Sequence, residues 1–169
     1  MNQSEFLILV APFKDKVFRL ARRLLISVEE AEDVTQEMLM RLWNKKENLH
    51  EYNSVEAFAM TMTKNYCLDQ LKSKRVSNLK IEKADFADDS GDLERQIEYN
   101  DSLNWVEKIV EQLPIQQKLI LQMRDIEQYD FEKIAQILDM NETAIRVALS
   151  RARKTIREAM LKTHNYGIK

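Results

Sequence analysis

Hydrophobic residues recur at intervals of three and four along most of the chain, which is the spacing of one face of an α-helix. Within the first 25 residues this stripe consists of Phe6, Leu9, Phe13, Val17, Leu20 and Leu24. Pro12 lies inside the stripe, where a proline kinks or restarts a helix. The pattern therefore predicts one long helix, or two shorter ones divided at Pro12, before residue 26.

Two further helices are predicted in the first half of the chain. Ser27 and Glu30 have the spacing of a capping box, in which both side chains satisfy free backbone amides at a helix start. We expect that helix to bury Ala31, Val34, Met38 and Leu42. The next helix begins near residue 53 or 54, with Asn53 and Glu56 as its capping signature, and runs to about Arg75. Its inward residues are expected to be Val55, Phe58, Ala59 and Met62.

Four helices are predicted beyond residue 100. Asp101 or Ser102 begins the first, and Pro114 occupies the first turn of the second. Asp130 caps a short helix over residues 131–138, a tight break follows at residues 139–141, and Asn141 caps a last helix over residues 142–161. The inner stripe of that last helix is Ile145, Leu149, Ala152, Ile156 and Met160. A short helix, a three-residue turn and a long helix form a helix-turn-helix.

The composition fits an all-α fold and excludes several classes of site. The 169 residues include only two glycines, Gly91 and Gly167, so neither a dinucleotide-binding fingerprint nor a P-loop can be formed. The single Cys67 has no disulfide partner, and one cysteine with two histidines is a poor zinc set, so no metal or cofactor is expected. The apolar run at residues 6–13 is too short to span a bilayer, and residues 1–5 lack the basic flank of a secretory signal. We therefore expect a cytoplasmic protein that does not insert into membranes.

Charge is distributed unevenly, although the formal net charge is only −2. Residues 1–75 carry 12 basic and 11 acidic side chains, residues 76–100 carry three and seven, and residues 101–169 carry 11 and 10. The basic residues cluster at positions 64–80 and 141–169. Each cluster alone is more simply a solvated helix face, but two cationic patches separated by an acidic segment indicate two contacts with one polyanion.

Two surfaces in the first half have the chemistry of binding sites. Asp33, Gln36, Glu37 and Met40 are neighbours on the second helix, with Trp43 one turn on, and this stripe suits a protein partner or an ordinary solvated face equally well. The third helix interleaves cations, an amide and a ring, which are the groups that recognise single-stranded DNA: Lys64, Asn65, Tyr66, Lys72, Lys74 and Arg75. Tyr66 by itself is more simply a core residue.

The helix-turn-helix offers a third surface. The amide-rich start of its second helix, capped by Asn141, can meet a phosphate. Glu142, Thr143, Arg146 and Ser150 would then reach base edges in the major groove, and Arg146 can pair with guanine through two hydrogen bonds. Arg151, Arg153 and Lys154 would hold phosphates.

With these motifs in place, the chain resembles the extracytoplasmic-function group of the sigma-70 family of bacterial sigma factors. Four blocks match in the family's order. The residues that carry them are Ala31-Glu32-Asp33-Val34-Thr35-Gln36-Glu37-Met38 with Leu42-Trp43; Phe58, Met62, Asn65, Asp69 and Lys72; Leu113-Pro114 with Lys118 and Ile134-Ala135; and Ile145-Arg146 with Arg151-Ala152-Arg153. Each block is weak alone, but the ordered set is specific.

The resemblance implies two small helical domains and a role for each. Residues 1–75 would be a region 2-like domain that binds core RNA polymerase and reads and melts the −10 element, residues 76–100 an acidic linker, and residues 101–169 a region 4-like domain that reads the −35 element. The polymerase-binding residues would be Asp33, Gln36, Glu37, Met40 and Trp43. The −10 residues would be His50, Tyr52, Asn53, Lys64, Asn65, Lys72 and Arg75, with a base pocket between residues 50–53 and the helix bearing Asn65. The −35 residues would be Asn141, Glu142, Thr143, Arg146, Ser150, Arg151, Arg153 and Lys154.

The expected partners are core RNA polymerase, promoter DNA and, by analogy with many relatives, an anti-sigma factor. Several residues depart from the family pattern: Phe58 replaces Trp, Lys133 replaces Glu, Asp139 replaces the turn Gly, and Val147 and Ala148 replace polar or basic residues. Asp adopts a left-handed conformation less easily than Gly, which leaves the geometry of the turn open.

Two other functions would each explain part of the sequence. A helix-turn-helix regulator that does not bind polymerase would explain residues 101–169 but not the stripe at Asp33, Gln36 and Glu37. Glu47 and His50 have the spacing of a di-iron bundle, but the second pair is incomplete because Leu161 precedes His164 by three positions. Neither histidine pairs with a nucleophile and an acid, so no enzyme is expected.

Overall fold

Every element in the described residues, 1–82 and 102–167 of the computed structural model, is a helix, and the all-α fold is confirmed. The acidic segment from residue 83 to Asp101, including most of the predicted linker and one candidate cap, lies outside the described residues. The elements are α1 (Gln3–Leu25), α2 (Val28–Asn44), a 3₁₀ helix (Lys46–Glu51), α3 (Val55–Glu82), α4 (Ser102–Glu111), α5 (Ile115–Leu121), a π-helical turn (Gln122–Ile126), α6 (Phe131–Leu138) and α7 (Glu142–Gly167).

The first helix is continuous through Pro12, so it neither restarts nor divides there. Pro12 is exposed, and the stripe that begins with Phe6 packs against α2 and α3. A capping box that we did not predict begins the helix. The Glu5 amide donates to the Asn2 side chain and the Asn2 amide donates to the Glu5 carboxylate, both at 2.9 Å.

The helices α1 to α3 form the first lobe and α4 to α7 the second. Two predicted caps in the first lobe were partly wrong. Ser27 accepts the Glu30 amide at 3.2 Å, but the Glu30 carboxylate pairs with Lys74 of α3 and does not return to the cap. At the start of α3 the capping residue is Ser54, which accepts the Ala57 amide at 3.1 Å. Glu56, expected to support an Asn53 cap, instead forms ion pairs outside the helix.

The buried face of α3 is shifted from the one predicted. Ala57, Ala59, Met60, Thr63 and Cys67 are buried, whereas Val55, Phe58 and Met62 are only half-buried. The reason is that α3 packs against α1, α2 and α6, so its buried face is wide and the small residues lie where the helices approach closely. The helix also runs to Glu82, beyond its expected end near Arg75.

The second lobe contains the helix-turn-helix as predicted. Asp130 accepts the Lys133 amide at 2.7 Å and begins α6, and Asn141 accepts the Ala144 amide at 2.7 Å and begins α7. Asp139 has φ 52° and ψ 52°, so the turn keeps a left-handed residue although it lacks glycine. Pro114 immediately precedes α5 and does not lie within its first turn.

The inner stripe of α7 is confirmed for Ile145, Leu149 and Ala152, which are buried. Met160 was predicted to be inward and is instead 46% exposed. The packing of α4 against α7 involves Ala152 and the half-buried Ile156, and Met160 lies one turn beyond them.

The two lobes pack against each other around a shared hydrophobic core. Buried residues of α1, α2 and α3 belong to the same contiguous cluster as Leu119, Ile120, Met123, Tyr129, Ile134 and Ile137. The contacts run between α1 and α5 and between α3 and α6.

Ion pairs surround this lobe interface, which we define as the contact of α1 and α3 with α5, the π-helical turn and α6. Arg19 donates two hydrogen bonds, at 2.6 and 2.8 Å, to the Glu127 carboxylate, whose side chain is only 1% exposed. Arg23 donates to Gln122 at 3.0 Å, and Glu56 lies between Lys16 at 3.1 Å and Lys133 at 2.5 Å.

Candidate functional site

The polar stripe of α2 is a continuous outer surface. Asp33, Gln36 and Met40 are exposed, and Glu37 is half-buried because it pairs with Arg41 at 2.9 Å. Trp43 is also half-buried. Its ring meets Phe6 edge-on at 5.1 Å, and the Lys46 ammonium lies 3.6 Å from the ring centroid. Four of the five predicted polymerase-binding residues thus form one face, and Trp43 joins that face to the core.

A groove that is open to solvent lies between the end of α2 and the middle of α3, and its volume is about 630 Å³. Two cations, two aromatic rings and two amides line it together with one carboxylate, two hydroxyls and a thioether: Arg41, Lys45, Phe58, Thr61, Met62, Asn65, Tyr66, Asp69, Gln70 and Ser73. The Arg41 guanidinium lies 4.9 Å from the Tyr66 ring, and the Lys45 ammonium lies 5.8 Å from the Phe58 ring. Such a surface can stack an unpaired base and hold the adjoining phosphate.

The structure brings two of the predicted −10 residues to this groove. Asn65 lines it, and Tyr52 stacks on the lining Phe58 with ring centroids 4.1 Å apart. His50 and Asn53 are exposed on the preceding segment and do not line the groove. The groove thus lies between α2 and α3, whereas the base pocket is predicted between residues 50–53 and α3.

Lys64 does not reach the groove. Its ammonium donates to the Ile137 carbonyl at 3.2 Å, across the lobe interface. Burial lowers the pKa of Lys64, although the nearby Asp139 carboxylate opposes that shift. Lys72 and Arg75 are exposed further along α3.

Sequence analysis missed Arg41 and Lys45 as groove residues. They are four positions apart at the end of α2, so the helical spacing did place them on one face, but nothing local showed that α3 would lie opposite.

The exposed face of α7 carries most of the predicted −35 residues. Glu142, Thr143, Arg146, Ser150 and Arg151 are all exposed. The Asn141 side chain caps the helix, so its oxygen already accepts a backbone amide.

Two basic residues further along α7 have intramolecular partners. Arg153 donates to both oxygens of Asp125, at 2.5 and 3.2 Å, and these hydrogen bonds raise the pKa of its guanidinium. The Lys154 ammonium lies 4.0 Å from the Glu158 carboxylate. Arg153 is thus held against the π-helical turn, whereas Lys154, with 72% of its side chain exposed, remains open to a phosphate.

The described residues contain neither a cluster of metal-ligating side chains nor a helix that could span a membrane. Within residues 1–82 and 102–167, no three His, Cys, Asp or Glu side chains come close enough together to hold a metal ion. Glu47 and His50 are exposed on the 3₁₀ helix, and the side chain of His164 lies outside the described part. None of the helices in these ranges is both long and apolar enough to cross a bilayer.

Comparison with known families assigns each lobe separately. The family model of Sigma-70 region 2 matches residues 9–76, and that of Sigma-70, region 4 matches residues 103–156. The two matches cover most of the chain, in the order that the motifs indicated. The chain belongs to the sigma-70 family.

Curated relatives of the sigma factor agree with this assignment. The chain is 28% identical over 158 residues to the "Probable RNA polymerase sigma factor RfaY" of Xanthomonas campestris pv. campestris, covering 90% of the chain and 40% of the relative. It is 26% identical over 159 residues to the ECF RNA polymerase sigma factor SigE of Mycolicibacterium smegmatis, covering 91% of the chain and 61% of the relative. The sigma factor thus spans less than two thirds of the length of these two relatives. Its place in the extracytoplasmic-function group is confirmed.

A solved structure shares the fold of the sigma factor. The sigma factor RpoE of Bartonella quintana, crystallised in complex with the anti-sigma factor NepR, has a TM-score of 0.70 at 19% sequence identity. The alignment covers 89% of this chain and 93% of that one, so both lobes are included.

Proposed function

We propose that this sigma factor binds core RNA polymerase and directs it to promoters, where the first lobe recognises the −10 element and the second recognises the −35 element. The observation that carries the proposal is the presence of region 2 and region 4 in one chain, in that order. The exposed stripe of α2 is its polymerase-binding surface. The domains are residues 1–75 and 101–169, joined by the acidic linker of residues 76–100.

Opening of the −10 element uses the groove between α2 and α3. Taking a base out of the duplex costs a few kcal/mol. Stacking on Tyr66 or on the Tyr52–Phe58 pair recovers about 1–3 kcal/mol for each base, and Asn65 offers an amide to the base edge. Arg41 and Lys45 supply positive charge where the adjoining phosphate would lie. His50, Asn53, Lys72 and Arg75 extend this surface to either side.

Recognition of the −35 element uses α7 in the major groove. The exposed residues Glu142, Thr143, Arg146 and Ser150 lie along the first half of the helix, where a recognition helix contacts bases. Arg151 and Lys154 hold the backbone, and Arg153 contributes charge while paired with Asp125. The two elements lie about two helical turns, or roughly 70 Å, apart, a span that neither lobe could cover alone.

The proposal includes an inhibitor as a partner and the cytoplasm as the cellular location. RpoE of Bartonella quintana was solved with an anti-sigma factor, and we propose a protein inhibitor for this chain by analogy. The chain acts in the cytoplasm with polymerase and has no catalytic residues of its own. A pull-down from native cells, probed for core polymerase subunits and for an inhibitor, tests these partners together.

Run-off transcription tests the function directly. Purified core polymerase is mixed with the full chain and with promoter-bearing genomic fragments of the host. The proposal requires transcripts that start at defined positions and depend on the chain. A helix-turn-helix regulator without polymerase binding would bind DNA but start no transcripts, and that result would replace the proposal with the alternative.

A further inference from the structure

Two arginines contact the ring of Phe131, the first residue of α6. The guanidinium carbon of Arg124 lies 4.4 Å from the ring centroid, and that of Arg146 lies 4.7 Å from it. Both distances fall within the range of a cation–π interaction. Because Arg146 lies on the recognition helix and Phe131 does not, the ring links a candidate base-reading side chain to a different element.

The ring of Phe131 is fixed from several directions. Asp130 caps α6 through the Lys133 amide at 2.7 Å, which sets the backbone beside Phe131. The half-buried ring packs against the main hydrophobic core. Arg124 donates to the Tyr129 carbonyl at 2.9 Å, so this guanidinium is held in place as well.

Arg146 has little else to hold it. Its side chain is 61% exposed, and its other described contact is a long ion pair with Glu142 at 3.9 Å. An exposed arginine loses side-chain entropy when it is fixed in one conformation. A contact that restricts it beforehand lowers that loss on binding.

We propose that Phe131 is a positioning residue for −35 recognition, because its ring holds the Arg146 guanidinium in the orientation that reads a base. The inference deepens the proposed function and rests on its assignment of α7 to the −35 element. The Arg146 guanidinium lies 4.7 Å from the ring centroid. A planar guanidinium held against a ring face can present its edge, which carries the paired donors that match guanine. Phe131 itself needs no contact with DNA.

The first experiment selects DNA and then measures a double-mutant cycle. The full-length wild-type chain selects duplexes from a randomised double-stranded library, and the selected duplex and its single-base variants become the probes for fluorescence anisotropy. F131L removes the ring face and keeps an apolar side chain, whereas F131Y keeps the ring. L138A, which truncates another half-buried residue of α6, is the matched control for a general loosening of the lobe.

We expect F131L to bind the selected duplex about twofold to fivefold more weakly and to lose preference at the base pair that Arg146 reads. F131Y should keep that preference. In the R146A background, F131L should cause no further loss of affinity for the selected duplex and no further change in base preference. An equal loss on every duplex, or a full additional loss in the R146A background, would overturn the inference.

A second measurement tests the contact in the free, full-length protein. The ring current of Phe131 should move the side-chain proton resonances of Arg146 upfield in the wild type and in F131Y. Unshifted Arg146 resonances in the wild type would contradict the inference even if F131L did not fold.

The proposed function fails separately from this inference. A wild-type chain that selects a duplex through Arg146 but starts no transcript with core polymerase would refute the proposed function and leave the role of Phe131 intact. A wild-type chain that selects no duplex but starts transcripts with core polymerase would overturn the inference and leave the proposed function intact.

Discussion

Asp139 forms the turn of the helix-turn-helix in a conformation that is costly for most residues. At φ 52° and ψ 52° it is left-handed, and its amide donates to the Ala135 carbonyl to close α6. Asp is among the few non-glycine residues that visit this region routinely, since its short polar side chain can hydrogen-bond locally. The turn therefore has a left-handed residue although Asp replaces the family's glycine.

At Arg146 the proposal makes a prediction about base preference. Arg146→Ala should cost about 1–3 kcal/mol at one base pair of the −35 element and relax the preference there, because a bidentate contact with guanine is lost. Binding to duplexes that vary at each position measures the effect. Arg157→Ala removes an exposed arginine about three turns further along α7. It is the control and should not change the base preference. An equal loss on all duplexes would reassign Arg146 to a phosphate.

Among the elements, α2 shows one helix serving two surfaces. Its outer stripe carries Gln36 and Glu37, while Arg41, paired with Glu37, lies over the Tyr66 ring in the groove between α2 and α3. A substitution in the outer stripe can therefore alter the groove through Arg41. Measuring Gln36→Ala and Glu37→Ala singly and together separates an effect on the outer stripe from an effect on the groove.

Gln36→Ala combined with Glu37→Ala should weaken binding to core polymerase about tenfold, because both side chains lie on the proposed contact face. Equilibrium binding to purified core polymerase measures this effect. Asp15→Ala on α1 removes one exposed carboxylate away from the face and serves as the control. If affinity for polymerase does not change, the docking face is wrongly assigned.

Periodicity and capping chemistry predicted most helices and the helix-turn-helix, because both depend on residues within one or two turns of each other. The buried face of α3 was misjudged, since it depends on three helices that pack against α3 from outside. The groove was only partly predicted for the same reason: Arg41 and Tyr66 are 25 positions apart.

For the whole molecule, the lobe interface could not be predicted from local patterns. Arg19 and Glu127 are 108 positions apart, and neither lies in a motif that signals the other. Lys133 is a second case. It departs from the family's Glu, and the structure places its ammonium 2.5 Å from Glu56 and 4.6 Å from the Tyr129 ring.

Lys133→Glu should destabilise the protein by about 1–3 kcal/mol, because it replaces a partly buried ion pair with two facing carboxylates. Urea unfolding measures the change. Lys133→Gln removes the attraction without adding repulsion, so its free energy of unfolding should lie between those of the wild type and Lys133→Glu. Lys14→Glu reverses an exposed charge on α1 and should have little effect. A Lys133→Glu variant as stable as the wild type would show that the pair does not hold the lobes together.

The Glu56 ion pairs also predict an acid dependence. Burial raises the pKa of the Glu56 carboxyl, but hydrogen bonds from Lys133 and Lys16 outweigh it and bring the pKa below its ordinary 4.5. A carboxylate with a lowered folded-state pKa contributes stability above pH 4.5 and loses it as the pH falls through that lower value. The stability gap between wild type and Glu56→Gln should therefore narrow on acidification below pH 4.5. A gap that stays constant in urea titrations from pH 7 to pH 3 would contradict this.

The shared hydrophobic core has a consequence for a chain that is cut. Proteolysis between Glu82 and Ser102 severs the backbone but none of the contacts between α3 and α6 or between Arg19 and Glu127. The two fragments should therefore co-elute as one species in gel filtration and separate only in denaturant. If they elute apart, the peptide connection, and not side-chain packing, is what keeps the halves together.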